Sequence, residues 1–215
     1  MSDYTINVSF DTRVTKTTRT LEVAESFGLG MDDKQFTLYD NLLVQIEQGD
    51  VVYITGQSGS GKSVILRELQ RLMKDENKTI ASIDDITFDD GKNIIDQVGK
   101  TTAEALSLLS MAGLNDAYLF IRKPSEMSDG QRYRLKIAKL IESGAQIWAA
   151  DEFGAVLDRI TAQAVASNFQ RAARNVGATV MVATTHEDLI NALCPSVTIT
   201  KHYKERVKVE YGRDN

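Results

Sequence analysis

Apolar residues recur along this chain with two different periods. Near the start, Tyr4, Ile6, Val8 and Phe10 alternate with polar neighbours, the period of a half-buried strand. The Thr-, Arg- and Lys-rich stretch over residues 12–20 reads as a turn followed by a solvated edge strand. Two apolar runs, residues 42–46 and 51–55, are separated by Gly49 and Asp50, a turn signal. From Lys62 the period lengthens to that of a helix, with Ile65, Leu69, Leu72 and Met73 on one face. A short strand follows at residues 79–83. A second helix is predicted over 102–111, where Thr101 and Glu104 have capping-box spacing and Gly113 supplies the stop. A third covers about 130–142, with Tyr133, Ile137, Leu140 and Ile141 as its buried stripe. Residues 147–150 and 179–184 are short uninterrupted apolar runs, as in parallel strands buried on both faces. Between them Ala162, Val165, Ala166, Phe169, Ala172 and Ala173 trace a helix that ends before Gly177. Strands alternating with helices after residue 50 predict an α/β fold with a parallel core sheet, to which the β-rich ends add antiparallel strands.

Composition narrows the class of protein. At 215 residues, with two prolines and no internal repeat, one compact domain over 1–215 is the expectation. Thirty acids against twenty-five bases give a net charge of −5, which lends nucleic-acid binding no support beyond a local basic face. Cys194 is the single cysteine, so an intrachain disulfide is excluded and a structural zinc site has no ligand set. The alternating N-terminus does not read as a signal peptide, and no window reaches the eighteen apolar residues of a membrane span. These features predict a cytoplasmic protein with no direct membrane insertion.

The chemistry starts at Gly56-Gln57-Ser58-Gly59-Ser60-Gly61-Lys62-Ser63, a complete GxxxxGK[ST] loop followed by Val64, between an apolar strand and an amphipathic helix. A chance match in a chain of this length is on the order of one in a hundred, before the flanking elements are demanded. Glycines let backbone N–H groups curl around phosphate oxygens. Lys62 then reaches the β- and γ-phosphates, the Ser63 hydroxyl binds Mg²⁺, and the helix N-terminus adds partial positive charge. The apolar strand 147–150 ends in Asp151 and Glu152. A carboxylate delivered beside the phosphate loop suits Asp151 to the metal's water shell, the Walker-B role, and Glu152 to orienting or deprotonating the attacking water. Ser128 and Gln131 have capping-box spacing at the start of the third helix; a helix N-terminus with a Ser hydroxyl and a bare Gly130 backbone also suits an anion. Both uses stay open.

With these motifs in order, the chain resembles an ABC-type ATPase nucleotide-binding domain over most of its length. Met127-Ser128-Asp129-Gly130-Gln131 resembles that family's LSGGQ signature, upstream of the Walker-B strand. The resemblance implies a P-loop NTPase fold with an antiparallel β subdomain and a short helical subdomain at about 98–142. It implies two ATP molecules held with Mg²⁺ between two copies of the chain, head to tail. Ser128, Gly130 and Gln131 would then belong to the ATP site completed by the other protomer. Asp158, in Gly154-Ala155-Val156-Leu157-Asp158, corresponds to the D-loop and makes a cross-dimer contact. His186 corresponds to the switch histidine that senses the γ-phosphate. Gln97, thirty-five residues beyond Lys62, corresponds to the Q-loop glutamine at the metal site. Phe27 stands where the family carries an aromatic that stacks on adenine, with Phe36 and Tyr39 as competitors.

Two departures from the family pattern carry weight. Asp129 replaces the first signature glycine, placing a carboxylate near an anion site, with Arg132 available to neutralise it. Only twenty-nine residues separate Gln97 from Met127, so the helical subdomain is trimmed. The resulting expectation is a free-standing ATPase that hydrolyses Mg-ATP to drive a conformational switch, with an unidentified protein partner. Its rivals are the ATP-binding subunit of a transporter, paired with a separate membrane protein, and an ATP-gated module binding nucleic acid or protein. The basic stretch over residues 201–209 reads first as a solvated edge strand and second as a phosphate-contacting face.

Overall fold

The uninterrupted apolar runs form the centre of a six-stranded sheet. A computed structural model describes residues 2–203 and 205–212 of the chain. Close contacts divide it into two units, Tyr4–Val44 and the remainder.

The smaller unit contains most of a two-stranded sheet, β1 (Ser2–Thr12) with β2 (Lys34–Ile46), and the helix α1 (Thr18–Phe27). Tyr4, Ile6 and Tyr39 are buried, whereas Phe10, on the same alternating face, is exposed. The edge strand expected over 12–20 is absent: α1 begins inside that stretch. Thr17 is its N-cap, its hydroxyl accepting from the Thr20 N–H at 3.2 Å while Thr20 Oγ1 accepts from the Thr17 N–H at 2.8 Å. The pair closes a capping box with Thr in the position usually held by Glu or Gln, so the helix start is hidden in a β-branched stretch.

In the larger unit the sheet contains β3 (Val51–Thr55), β4 (Ile80–Ser82), β5 (Ile147–Ala150), β6 (Thr179–Thr184), β7 (Val197–Thr200) and β8 (Lys208–Tyr211). They lie in the order β4-β5-β6-β3-β7-β8. All neighbours are parallel except β8, which runs antiparallel to β7 at the edge. Every residue of β3, β5 and β6 is buried, as expected where helices cover both faces. Register aligns the strand ends, pairing Thr55 with Thr184 and Ala150 with Val182, so three loops leave the same edge side by side.

Four longer helices belong to this unit: α2 (Lys62–Asp75), α3 (Thr102–Met111), α5 (Asp129–Ser143) and α6 (Arg159–Val176). Short α4 (Ala117–Phe120) and α7 (Ile190–Leu193) complete the set among the described residues. On α2, Leu66 is buried where the stripe was expected to include Leu72, which is half-buried. On α5 Ile137 and Leu140 of the expected stripe are buried and Tyr133 and Ile141 half-buried, while packing on both α3 and α6 also buries Leu135 and Ala138. The six apolar residues expected on α6 are all buried. Under α6, Phe169 stacks on Phe153 at 5.4 Å and tilts against Trp148 at 5.8 Å between centroids, tying the helix to the loop after β5.

The C-terminal stretch departs from a simple edge strand. Lys201 is buried, its N–H donating to the Thr55 carbonyl at 2.9 Å, so it continues the sheet beside the start of the phosphate loop. Only from Lys208 does the strand resume; Lys204 lies outside the described residues.

Phe169→Ala removes the ring that joins α6 to Phe153 and Trp148. It is expected to cost about 3–5 kcal/mol of unfolding free energy in chemical denaturation, a loss set by side-chain burial and the cavity left behind.

Candidate functional site

The loop from Gly56 to Gly61 connects the end of β3 to the start of α2, and its shape depends on glycine. Gly56 has φ 135°, and a Cβ there would lie 1.9 Å from the Lys201 carbonyl oxygen. No other residue type allows the loop to leave β3 against the neighbouring chain. Gly59 and Gly61 also have positive φ, so glycine is favoured at both turns of the loop before the helix starts. Lys62 is buried at the helix start, and its Nζ donates to the Gln57 carbonyl at 2.7 Å. Burial pulls its ammonium below the ordinary lysine range, while the Asp151 and Glu152 carboxylates push it back up. A phosphate oxygen is a stronger acceptor of the same donor than a carbonyl.

The second loop leaves β5. Asp151 Oδ1 accepts from the Ser63 hydroxyl at 2.8 Å, joining the strand-end carboxylate to the phosphate loop. The same oxygen accepts from the Glu152 N–H at 3.0 Å, and Arg67 lies 3.8 Å from the other carboxylate oxygen. A hydroxyl and a carboxylate in contact are hard oxygen donors, a set that suits Mg²⁺ rather than a soft metal. Glu152 has φ 47°, uncommon for a side chain of that size. A cavity of about 500 Å³ is lined by Gly59, Lys62, Ser63, Asp151, Glu152 and Thr184. A second of about 610 Å³ joins Ser63, Asp151 and Glu152 to Asp129 and Arg132 at the start of α5.

Asp84 and Lys136 also line this second cavity, and both escaped the sequence reading. Asp84 Oδ2 accepts from the Asp151 N–H at 2.8 Å, so it fixes the residue proposed to hold the metal's water shell. Its signal was the one that singled out Asp151, an acid just beyond a predicted strand end. Lys136 Nζ donates to the Ile83 carbonyl at 3.2 Å.

Other expected residues have defined local tasks. Ser128 and Gln131 close the capping box of α5: the Gln131 N–H donates to Ser128 Oγ at 3.3 Å, and the Ser128 N–H to Gln131 Oε1 at 2.9 Å. Gly130 is buried, and a Cβ there would meet Thr161 Cγ2 of α6 at 2.6 Å, so helix packing alone demands glycine. Asp129 pairs with Arg132 at 3.0 Å, both exposed. Asp158 caps α6, accepting from the Ile160 and Thr161 N–H groups at 3.1 and 3.0 Å, and hydrogen bonds from Thr161 hold its carboxyl below the ordinary range. His186 is half-buried just beyond β6; its N–H donates to Thr184 Oγ1 at 3.1 Å, and the buried Tyr53 hydroxyl donates to its carbonyl.

Gln97 is not brought to this cluster. The Gln97 side-chain oxygen accepts from the Asp89 N–H at 2.8 Å, and its nitrogen donates to the Asp89 and Lys92 carbonyls at 3.0 and 3.1 Å. Its amide braces the 89–93 turn and lines a different cleft, of about 450 Å³, with Asp96 and Lys139. The family resemblance implied the metal site, but the backbone groups of the turn bind the side chain. Phe27 is the last residue of α1, in the smaller unit, with 75% of its surface exposed.

Comparison with known proteins agrees with this geometry. The family model described as ABC transporter matches residues 39–101, which include the whole phosphate loop. The chain is 26% identical over 204 residues to the methionine import ATP-binding protein MetN of Streptococcus pyogenes serotype M4 (strain MGAS10750), a match covering 75% of this chain and 56% of that protein. It thus spans just over half the length of such curated relatives. Among solved structures, the dimeric ATP-binding cassette MJ0796 in a post-hydrolysis state with ADP and Pi superposes with a TM-score of 0.65 at 20% identity, covering 100% of both chains. CbiO1 from Clostridium perfringens, part of the ABC transporter complex cbiONQ, gives 0.63 at 16% identity, covering 80% of each. These likenesses show that the chain has the fold of ATP-binding cassettes, and the stretch that the family model matches contains its phosphate loop.

Proposed function

We propose that this chain binds Mg-ATP at the loops after β3 and β5 and hydrolyses it to ADP and phosphate. One observation carries the reading: the Ser63 hydroxyl and the Asp151 carboxylate meet at 2.8 Å beside a buried Lys62, with Glu152 next in the chain. Backbone N–H groups of the phosphate loop and the Lys62 ammonium neutralise the phosphate oxygens. Ser63 and Asp151 would hold Mg²⁺ and its water shell, and the ion would supply charge neutralisation for the β- and γ-phosphates. Glu152 orients a water and takes its proton as the water oxygen bonds to the γ-phosphorus. The bond to the β–γ bridging oxygen breaks, and its electron pair leaves with ADP. His186 stabilises charge that develops on the γ-phosphate.

The start of α5 completes the site in a second copy of the chain. In this reading Ser128, Gly130 and Gln131 of one protomer close on ATP held by the other, and Asp158 contacts the partner. Val156 and Ile160 support such closure: they flank Asp158 with 71% and 80% of their surfaces exposed. ATP favours the closed dimer because its γ-phosphate is a ligand shared by both surfaces, and phosphate loss reopens it. Asp129 is compatible because Arg132 already neutralises it. Phe27 remains the proposed adenine-stacking aromatic, and the chain would act in the cytoplasm with a protein partner.

A second reading makes the chain the ATP-binding subunit of a membrane assembly. It is favoured by the open cleft at Gln97, which gives a separate partner a polar seat away from the phosphate loop. No helix among the described residues is long and apolar enough to cross a membrane, so that partner would supply the span.

Lys62→Ala is expected to remove tight ATP binding and turnover together, measured by calorimetry and phosphate release; retained affinity and turnover refute the site. Glu152→Gln should keep nucleotide affinity while lowering phosphate release at least a hundredfold, the scale of general-base loss. In light scattering after gel filtration, Mg-ATP should convert the Glu152→Gln variant from monomer to dimer. A variant that binds ATP and stays monomeric contradicts self-closure.

A further inference from the structure

The hydroxyl of Thr184, the last residue of β6, is one oxygen to which two separate loops of the site are fastened. It donates to the Phe153 carbonyl at 2.9 Å and accepts from the His186 N–H at 3.1 Å. Thr184 is 1% exposed, and its bond to Phe153 is buried while that to His186 is part-buried. Phe153 immediately follows Glu152, whose backbone sits at φ 47° in the left-handed region. The Phe153 N–H also donates to the Ala183 carbonyl at 2.9 Å. Both polar groups of the Phe153 backbone are therefore bonded to adjacent residues of one buried strand, while its ring is clamped against Phe169. A strained residue such as Glu152 persists where the surrounding structure over-determines it, and these bonds supply that constraint from β6.

On the other side, the His186 backbone is gripped at both ends. Its N–H bonds to Thr184 and its carbonyl accepts from the hydroxyl of Tyr53, on β3 just ahead of the phosphate loop. Burial raises the Tyr53 phenol, which keeps it protonated and donating. A methyl in place of Thr184 Oγ1 removes the partner of both the buried Phe153 carbonyl and the part-buried His186 N–H.

We propose that Thr184 is a positioning residue that sets Glu152 and His186 relative to one another, so that the proton acceptor and the γ-phosphate sensor act in register. This rests on the hydrolytic reading above, in which both residues take part. Thr184 touches neither water nor phosphate in this role; it acts through the backbone of its neighbours. Valine matches threonine in shape and lacks the oxygen, whereas serine keeps the oxygen and lacks the methyl.

Steady-state ATP hydrolysis is compared for the full chain and for Thr184→Val, Thr184→Ser, His186→Ala and the Thr184→Val/His186→Ala double variant, with Glu152→Gln as control. Thr184→Val is expected to lower kcat on the order of ten- to a hundredfold, with KM for ATP within about twofold, since geometry rather than affinity is lost. Thr184→Ser should return kcat to within about threefold of the parent. In the His186→Ala background the effect of Thr184→Val should shrink, because part of it passes through His186. Thr184→Ala removes the same oxygen without adding bulk and is read in the same way if the valine variant fails to fold. An unchanged kcat in Thr184→Val, a Thr184→Ser variant equally impaired, or fully multiplicative effects with His186→Ala would overturn the assignment. No turnover by the unsubstituted chain, or full turnover by Glu152→Gln, contradicts the hydrolytic reading itself; turnover that Glu152→Gln abolishes and Thr184→Val spares contradicts Thr184 alone.

Discussion

Parallel alignment of β5, β6 and β3 is the constraint on which the rest of this structure depends. Three fully buried strands run in one direction and end within two residues of one another in register, so the chain emerges at one edge in three adjacent loops. Buried parallel strands need helices on both faces, and those helices must begin or end at that edge. The same requirement that buries Ile54, Trp148 and Val182 therefore brings together Lys62, Asp151 and the segment around His186. Packing and chemistry are one geometric problem here, and the hydrogen bond from Ser63 to Asp151 is where the two first meet.

What the sequence displayed most openly was contiguous. The phosphate loop, the apolar strand ending in Asp151 and Glu152, and the stripe of α6 each fit within a short window governed by one period or one motif. Less legible features depended on contacts between distant residues. The start of α1 was masked because Thr17 and Thr20 cap each other with side chains that also favour strands. Leu135 and Ala138 lay outside the stripe assigned to α5 because a single-face pattern does not reveal a helix with two packed neighbours. Gln97 was placed by the family resemblance, yet its amide satisfies the turn formed by residues 89–93. Asp84 went unremarked although it braces Asp151, because an acid pair after a short strand carries little weight without knowing which strand lies next to it.

At the start of α5, residues with a proposed ligand role already have structural ones. Ser128 and Gln131 cap the helix, Gly130 admits Thr161 of α6, and Asp129 is matched by Arg132. A helix whose first turn is fixed by its own cap presents its N–H groups in a set direction without needing a ligand to order them. The cap and the proposed anion site would thus be two consequences of one local arrangement. The carboxylate in the signature changes its charge only modestly while the ion pair holds.

The central claim is that the phosphate-loop hydroxyl and the strand-end carboxylate together make a site for a metal-bound nucleotide. Titration calorimetry of ATP into the unsubstituted chain and into Asp151→Asn, each with Mg²⁺ and with chelator, tests it most directly. The account predicts that Mg²⁺ tightens ATP binding to the unsubstituted chain at least tenfold and that Asp151→Asn removes most of that gain. Equal affinity with and without Mg²⁺, or a metal dependence unchanged in Asp151→Asn, would contradict it.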